Sequence, residues 1–338
     1  MHLMKAFPTS RALCNTGLHL PALLALVWSF FAATPFALCR ADEAPTFPRQ
    51  EVIYGHKFGL ALTMNVFRPT QNSNGLGIFF VISGGWTSTH EVTGVVPRFS
   101  YLLDHGYTVF AVTHGSQPKF TIPEILEDMN RAVRFVRLRA PDYGVDPERL
   151  GITGGSAGGH LSLMQGTTGA DGGPKAKDPV DRVSSKVQAV ACYFPPTDFL
   201  NYGKPGEDAI GRGRLAKFAA PFDFREYDPN LTKYVTVTEE EKIRQIARKI
   251  SPIYYVSATS APALIIHGDA DELVPIQQAE TMVEKLKAAG VDAHLSVKHG
   301  GGHGWADTSK DSAQIVDWFD SHLKAGATAK PLETPVAK

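Results

Sequence analysis

Continuous apolar runs and helically spaced apolar residues alternate along the chain. Runs such as GIFFVIS, VQAVACYF and PALIIHG lack the polar alternation of a half-exposed strand, and they are typical of strands buried on both faces of a sheet. In IPEILEDMNRAVRFVRLRA the apolar residues Ile125, Met129, Val133 and Val136 recur at helical spacing, with acids early and arginines late. The alternation predicts an α/β fold with a mostly parallel central sheet flanked by helices.

The remaining elements follow the same pattern, except at the start. EVIYGHKFGLALTMNVFRP contains two partly alternating runs about a glycine turn, which predicts an opening antiparallel hairpin. Further strands are predicted in YTVFAVTH, RLGIT and DAHLSVK. Further helices are predicted in VVPRFSYLLDHG, IQQAETMVEKLKAAG and SAQIVDWFDSHLKA.

One segment, residues 201–250, breaks this rhythm between two core strands. It is charged, begins with glycines and ends in the helical pattern TEEEKIRQIARKI. An insertion of this length is either a lid or cap over a site or a surface excursion, and we favour the lid or cap. Its apolar side chains would then cover a bound ligand: Phe218, Phe222, Phe224 and Tyr227.

Both ends of the chain differ from the body. Residues 1–41 combine basic residues, an apolar run and small residues, which predicts a secretory signal peptide cut after Cys39 or Ala41. The protein is therefore expected to be secreted or periplasmic, with no stable membrane insertion after cleavage; the alternative is a retained N-terminal membrane anchor. Residues 42–325 are predicted to form one catalytic domain, and residues 326–338 a disordered tail.

The composition is that of an ordinary globular protein, 43% hydrophobic and 20% charged. Lys plus Arg and Asp plus Glu are equal at 34 each, and no basic run is present, which argues against a nucleic-acid partner. Signal cleavage would leave Cys192 as the single cysteine, so no internal disulfide is expected. The apolar surroundings of Cys192 predict a buried, inert thiol.

The stretch LGITGGSAGGHLSL places the pattern G-x-S-x-G between a predicted strand and a predicted helix. In a nucleophile elbow the serine, here Ser156, occupies a sharp, strained turn, and the flanking glycines avoid collision with the neighbouring strand and helix. The hydroxyl then lies at a helix N-terminus, where backbone N–H groups can face an oxyanion. The pattern alone also fits a glycine-rich turn without catalytic function, or one that binds phosphate.

A serine hydroxyl needs a base to take its proton and an acid to orient that base. Two later loops, each after a predicted strand, supply them: HGDADELVP offers Asp271, and KHGGGHGW offers His303. The chain order Ser, Asp, His is that of α/β-hydrolases. Within the same loops Asp269 is an alternative acid, expected to tighten its turn, and His299 an alternative base.

An oxyanion hole requires two backbone donors near the serine. The N–H of Ala157, one residue past Ser156, is one expected donor, and the loop FFVISGGWTS supplies Gly84 and Gly85 for the second. Trp86 and Trp305 flank the site by position and either shape a substrate pocket or pack in the core. Two more histidines, His160 and His267, are expected to have structural roles.

Residues from about 51 to 323 resemble an alpha/beta-hydrolase of the hormone-sensitive-lipase-like acetyl-esterase/feruloyl-esterase type, common among secreted bacterial esterases. The matching pieces are SGGW, EDMNRAVRFVRLRAPDYGVDPERLGITGGSAGGHLS, YFPPTD, HGDADELVP and GGGHGW. The resemblance implies Ser156 as nucleophile, Asp271 as acid and His303 as base. It also implies that Gly84, Gly85 and Ala157 are the oxyanion donors.

The chain departs from that family at two loops. The family usually has His-Gly-Gly-Gly-Trp, with a histidine that braces the loop, where this chain has Ile82-Ser83-Gly84-Gly85-Trp86. After the fourth strand the family often has Asn-Tyr-Arg, and here the residues are Thr113-His114-Gly115. Neither change removes a member of the expected triad.

The sequence therefore predicts a serine hydrolase that cleaves carboxylic esters through an acyl-enzyme on Ser156. Its partner is a small-molecule ester with a small or aromatic acyl group; plant polysaccharide esters are an analogy from the family. No cofactor or metal is expected, since no H-E-x-x-H spacing is present. The alternatives are a prolyl-oligopeptidase-type serine peptidase and a non-catalytic binding protein that kept the fold.

Overall fold

In the computed structural model, residues 47–116 and 119–324 are described. The signal peptide predicted for residues 1–41 and the tail predicted for residues 326–338 lie outside them. The strands are β1 Arg49–Lys57, β2 Leu60–Phe67, β3 Gly77–Ile82, β4 Thr108–Thr113, β5 Leu150–Gly155, β6 Ala189–Tyr193, β7 Arg225–Asp228, β8 Lys233–Thr236, β9 Ala263–Gly268 and β10 Ala293–Lys298.

Helices connect most of these strands. The α-helices are α1 Ser100–Asp104, α2 Ile122–Leu138, α3 Ala140–Tyr143, α4 Ala157–Thr168, α5 Glu240–Lys249, α6 Gln277–Ala288 and α7 Ser309–Leu323. Short 3₁₀ helices span Val96–Arg98, Pro179–Arg182, Gly213–Phe218, Ala220–Phe222 and Pro252–Tyr255. Within the described residues, no helix is both long enough and apolar enough to cross a membrane.

The central sheet has eight strands in the order β1-β2-β4-β3-β5-β6-β9-β10. Strand β2 pairs antiparallel with β1 and β4, as the hairpin pattern predicts, and the pairs from β4 to β10 are parallel. Helices cover both faces, since side chains that alternate along β3 enter two separate cores. Phe79 and Val81 join one core, and Ile78, Phe80 and Ile82 join the other. The predicted α/β fold is confirmed.

Helix α2 shows why the periodic segments fold as predicted. Thr121 and Glu124 form a capping box at its N-terminus, which satisfies backbone N–H groups that no helical carbonyl can reach. The apolar stripe named from the sequence is buried against the sheet: Ile125, Met129, Val133 and Val136. In β6 the Cys192 side chain is also buried, as predicted, and burial raises the pKa of its thiol well above the ordinary value.

The segment 201–250 stands outside the central sheet. It contains two of the 3₁₀ helices, the antiparallel pair β7–β8, which forms its own two-stranded sheet, and α5. The parallel strands end on one edge of the central sheet, and the loops that follow them carry the candidate chemistry. Ser83 follows β3, His114 follows β4, and Ser156 follows β5. Asp271 and His303 lie in the loops after β9 and β10.

Candidate active site

Ser156 occupies a strained turn between β5 and α4. Its backbone has φ 55° and ψ −119°, in the positive-φ region that side chains other than glycine rarely adopt. Such a residue costs about 1–3 kcal/mol and persists only where the surroundings fix it. Here the Ser156 N–H donates to the Tyr193 carbonyl at 3.0 Å, and its carbonyl accepts from His160 N–H at 2.9 Å. The turn therefore holds the hydroxyl at the helix N-terminus, as an elbow requires.

The outer glycines of the motif are required by close backbone packing. A Cβ on Gly154 would lie 2.7 Å from the backbone of Gly158, in the first turn of the helix. A Cβ on Gly158 would lie 2.8 Å from the carbonyl oxygen of Val81, in the neighbouring strand β3. Any side chain at these positions would push strand and helix apart, so only glycine permits the turn.

His303 joins Ser156 to Asp271. Its Nε2 lies 2.9 Å from Ser156 Oγ, and its Nδ1 lies 2.7 Å from Asp271 Oδ2. Since a carboxylate oxygen can only accept, Nδ1 carries the hydrogen and donates it to Asp271. The lone pair on Nε2 then faces the serine hydroxyl, in the arrangement that lets a histidine take the serine proton.

Hydrogen bonds keep the buried carboxylate of Asp271 ionised. Burial opposes ionisation, but bonds from His267, His303 and the Val274 N–H outweigh it and hold the pKa of Asp271 well below its usual range. The N–H groups of Leu273 and Val274 each donate to Asp271 Oδ1 at 2.9 Å. The acid is therefore a fixed anion beneath the imidazole.

The two alternative candidates pair with each other at the surface. His299 Nδ1 lies 2.8 Å from Asp269 Oδ2, and the His299 side chain is 83% exposed. The Gly300 N–H donates to the same carboxylate, so Asp269 tightens its turn in the way the sequence suggested. The structure thus brings Asp271 and His303 to Ser156 and sets the Asp269–His299 pair apart.

The three expected oxyanion donors are not equivalent. The Gly84 N–H donates to the Thr87 carbonyl at 2.9 Å, which closes the loop and leaves that N–H unable to bind an oxyanion. Among the described residues the Gly85 N–H makes no such backbone bond. The Ala157 N–H lies in the first turn of α4, where no helical carbonyl can accept it. The geometry therefore favours Gly85 and Ala157 and corrects the expectation for Gly84.

The two tryptophans lie in different environments. Trp86 is 2% exposed, and its indole N–H donates to His160 Nδ1 at 3.0 Å. Its ring packs against Phe199 and Phe222, so Trp86 is a core residue and the predicted substrate contact is wrong. Trp305 is half-buried and lines the cavity at Ser156, where it remains a candidate for substrate contact.

His160 and His267 make the structural contacts that the sequence suggested. His160 Nε2 donates to the Ile250 carbonyl at 2.6 Å, and burial lowers its pKa to about 4, so Nδ1 is free to accept from Trp86. His267 Nε2 donates to the Val274 carbonyl at 2.8 Å and lies 3.4 Å from Asp271 Oδ2.

A cavity of about 880 Å³ opens at Ser156. Its aromatic and aliphatic lining includes Phe194, Phe218, Leu273 and Trp305. The Phe194 ring lies 4.5 Å from the imidazole of His303, centroid to centroid, and shields it. Phe194 was not among the residues predicted for the site; its signal is its position at the end of the predicted strand VQAVACYF, in the motif YFPPTD.

The insertion contributes one of its four named aromatics to this cavity. Phe218 lines it, whereas Phe222 and Phe224 are buried and pack against each other. Tyr227 is 53% exposed on the β7–β8 hairpin and packs edge-on against Tyr234. The predicted covering role therefore falls on Phe218.

Comparisons with known proteins identify the family of the chain. The BD-FAE family model matches residues 64–286, more than half of the chain, and the dienelactone hydrolase family model matches residues 247–330. The probable carboxylic ester hydrolase LipM of Mycobacterium tuberculosis is 30% identical over 240 residues, which cover 70% of this chain and 51% of LipM. Esterase LipC of the same organism is 26% identical, with 86% of this chain and 68% of LipC covered.

The chain spans about half the length of LipM and of esterase LipQ, two of the curated relatives it matches. Among solved structures, a truncated carbohydrate esterase from gut microbiota superposes with a TM-score of 0.67 at 24% identity, covering 82% of this chain and 96% of that one. That likeness supports the fold. The sequence match over residues 64–286 places the protein in the BD-FAE family, with the α/β-hydrolase fold.

Proposed function

We propose that the protein hydrolyses carboxylic esters through an acyl-enzyme formed on Ser156. One observation carries the proposal: Ser156 Oγ, His303 and Asp271 form a continuous chain of hydrogen bonds of 2.9 and 2.7 Å, and Ser156 and His303 line a cavity. The relatives described as ester hydrolases support the same reaction class.

In the first half-reaction Ser156 Oγ attacks the ester carbonyl carbon while His303 Nε2 takes its proton. The Asp271 carboxylate stabilises the imidazolium that forms, and the N–H groups of Gly85 and Ala157 bind the negative charge on the carbonyl oxygen. His303 then gives its proton to the leaving alkoxide, which departs as the alcohol. The acyl group remains bonded to Ser156.

In the second half-reaction a water molecule takes the place of the alcohol. His303 removes a proton from the water, whose oxygen attacks the acyl carbon under the same oxyanion contacts. When the tetrahedral intermediate collapses, the bond to Ser156 Oγ breaks and His303 returns the proton to the serine. The products are the acid and the free enzyme.

The substrate class we propose is an ester with a small acyl or aromatic acyl group. The cavity has a volume of about 880 Å³ and several aromatic residues in its lining, so it can enclose such a group. A solved structure of similar fold is described as an acetyl ester-xyloside bifunctional hydrolase, which makes carbohydrate esters a reasonable first test.

A panel of acetyl, butyryl, octanoyl and feruloyl esters, assayed beside proline-containing peptides, tests this function. We expect ester turnover that depends on Ser156 and no peptide turnover. Turnover of peptides in place of esters would assign the protein to serine peptidases. Absence of both, in a folded protein that does not react with an organophosphonate, would indicate a binding protein.

The predicted signal peptide extends the proposal to location. We propose that residues 1–41 direct export and are removed, so that the mature enzyme acts outside the cytoplasm. Fractionation of an expressing bacterial host, with N-terminal sequencing of the recovered protein, tests this. An intact N-terminus in the membrane fraction would indicate an anchor instead.

A further inference from the structure

Two polar side chains, buried His114 and half-buried Ser83, form a pair at the base of the loop that presents the Gly85 N–H. Ser83 follows β3 and His114 follows β4, and these strands are parallel neighbours in which Ile82 pairs with Thr113. The register therefore brings the next residues of each strand side by side. Ser83 Oγ lies 2.9 Å from His114 Nε2, and His114 is 4% exposed.

The direction of this hydrogen bond follows from the other side of the ring. His114 Nδ1 lies 2.6 Å from the Gly115 carbonyl oxygen, which can only accept, so Nδ1 carries the hydrogen. Burial lowers the pKa of His114 to about 4, so the ring is neutral at neutral pH and Nε2 holds a lone pair. The Ser83 hydroxyl therefore donates to His114.

The segment that carries His114 is itself anchored. The Gly115 N–H donates to Asp128 Oδ2 at 2.9 Å, and Lys57 Nζ lies 2.8 Å from Asp128 Oδ1. Asp128 belongs to α2 and is buried. The residues after β4 thus form a fixed support that joins the sheet edge to helix α2.

Hydrogen bonds attach both ends of the loop from Ser83 to Ser88 to this support. Ser83 donates to His114 at one end, and at the other the Ser88 N–H donates to Ser116 Oγ at 2.8 Å. Between these two attachment points, backbone hydrogen bonds between Gly84 and Thr87 close the turn. Gly85 lies at the tip, with φ 54°, on the cavity side.

We propose that Ser83 and His114 are a positioning pair that holds the Gly85 N–H in place for the oxyanion. The inference rests on the proposed function. Ser83 also lines the cavity, but its hydroxyl is bonded to His114, so it acts on the reaction through the loop backbone, and His114 acts through Ser83. A donor that stabilises charge in the transition state must be held within about 0.5 Å of its productive position. Loss of the pair should therefore lower kcat and leave KM nearly unchanged, because the lost interaction belongs to the transition state.

Four variants test the pair with an ester that the wild-type enzyme hydrolyses. Removal of a whole oxyanion donor costs about 10²–10³-fold in kcat, so we expect about a 10- to 100-fold loss in Ser83→Ala and in His114→Leu. His114→Gln keeps an acceptor near the Nε2 position and should retain most of the activity. The Ser83→Ala/His114→Leu double variant should be no worse than either single variant by more than about threefold, since the two act as one unit.

Ser185→Ala is the matched control, because it removes a buried serine hydroxyl that contacts the backbone of Ala170 away from the cavity. It should lower thermal stability without changing kcat. The positioning role would be overturned if folded Ser83→Ala kept the wild-type kcat, whether or not its KM increased. If Ser83→Ala does not fold, equal kcat in His114→Gln and His114→Leu would overturn it. Failure of the proposed function is separate: wild-type enzyme would then hydrolyse no ester.

Discussion

The ring of Phe218 lies against the Cα of Gly85, so closely that a Cβ on Gly85 would collide with it. This contact joins the insertion at residues 201–250 to the loop that presents an oxyanion donor. Phe218 is half-buried and lines the cavity, so a bound acyl group would meet its ring. We therefore expect the insertion to affect substrate choice through the side chain of Phe218.

We predict that Phe218→Ala changes the ranking of acyl groups. Opening the cavity beside Gly85 should raise KM for acetyl esters severalfold and improve the relative kcat/KM for octanoyl and feruloyl esters. Tyr227→Ala is the control, since Tyr227 lies exposed on the β7–β8 hairpin and should leave the ranking unchanged. An unchanged ranking in Phe218→Ala would show that the insertion does not select the acyl group.

Single substitutions are the appropriate test because the insertion is part of the core. Phe222 packs edge-on against Trp86 at 5.3 Å, and the Ile250 carbonyl accepts from His160. Replacement of the whole segment would remove both contacts and expose the ring of Trp86. A loss of activity in such a variant would then report unfolding rather than specificity.

Alanine substitutions of the two histidines in the KHGGGHGW stretch should differ sharply in their effect on kcat. His303→Ala removes the base in contact with Ser156 and should lower kcat by at least about 10⁴-fold, because members of a triad act as a unit. His299→Ala removes an exposed side chain that contacts Asp269 and should change kcat by less than about threefold. Steady-state kinetics of both variants measure this, and the reverse ranking would mean that His299 is the base.

The acids should show the same contrast. Asp271→Asn keeps the size of the side chain but removes the charge that fixes the tautomer of His303, so kcat should fall by about 10⁴-fold. Asp269→Asn should have only a small effect on kcat, because its partners are His299 and the Gly300 N–H at the surface. Comparable losses in the two variants would contradict the assignment of Asp271.

Much of this arrangement follows from local sequence signals. The strand and helix patterns predicted the order of elements because buried strands need apolar runs and α2 needs an apolar stripe. The loops after strands β5, β9 and β10 then had to meet at one edge of a parallel sheet. Ser156, Asp271 and His303 could therefore be named from their positions after strands.

The residues that sequence reasoning misplaced depend on non-local packing. Trp86 turns into the core because His160 on α4 accepts its N–H and Phe222 from the insertion packs on its ring. The Gly84 N–H donates to the Thr87 carbonyl, because the loop folds back on itself. The Ser83–His114 contact arises from the pairing of β3 with β4, which no local pattern encodes.

The elbow glycines should differ in their tolerance to alanine. Gly158→Ala places a Cβ 2.8 Å from the Val81 carbonyl oxygen and should lower the free energy of unfolding by about 1–3 kcal/mol or more. Gly155→Ala is the matched control, since its Cβ would make an ordinary contact of 3.5 Å with Phe194. Urea denaturation of both variants tests this, and equal stability would contradict the close packing described here.

Stability should fall on acidification because of buried neutral histidines. Burial lowers the pKa of His160 to about 4 from an ordinary value of 6.5, and its ring faces the Trp86 N–H and the Ile250 carbonyl. Between pH 6.5 and 4 the unfolded chain binds a proton that the folded chain does not, so stability is lost as pH falls through this window. Across this window His160 alone should lower the free energy of unfolding by about 3 kcal/mol.

His160→Asn should therefore show a weaker pH dependence of the urea midpoint than wild type over that window, although it is less stable at neutral pH. Comparison with wild type cancels the titration of groups common to both proteins. The same slope in both proteins would mean that His160 takes up its proton in the folded chain at the same pH as in the unfolded chain.

The most direct test of the central claim is the site of covalent labelling by a fluorophosphonate. Wild-type protein should gain one adduct, and peptide mass spectrometry should place it on Ser156. Ser156→Ala should keep the wild-type circular dichroism and melting temperature but gain no adduct and hydrolyse no ester. Labelling of another residue, or wild-type ester turnover by folded Ser156→Ala, would contradict the account.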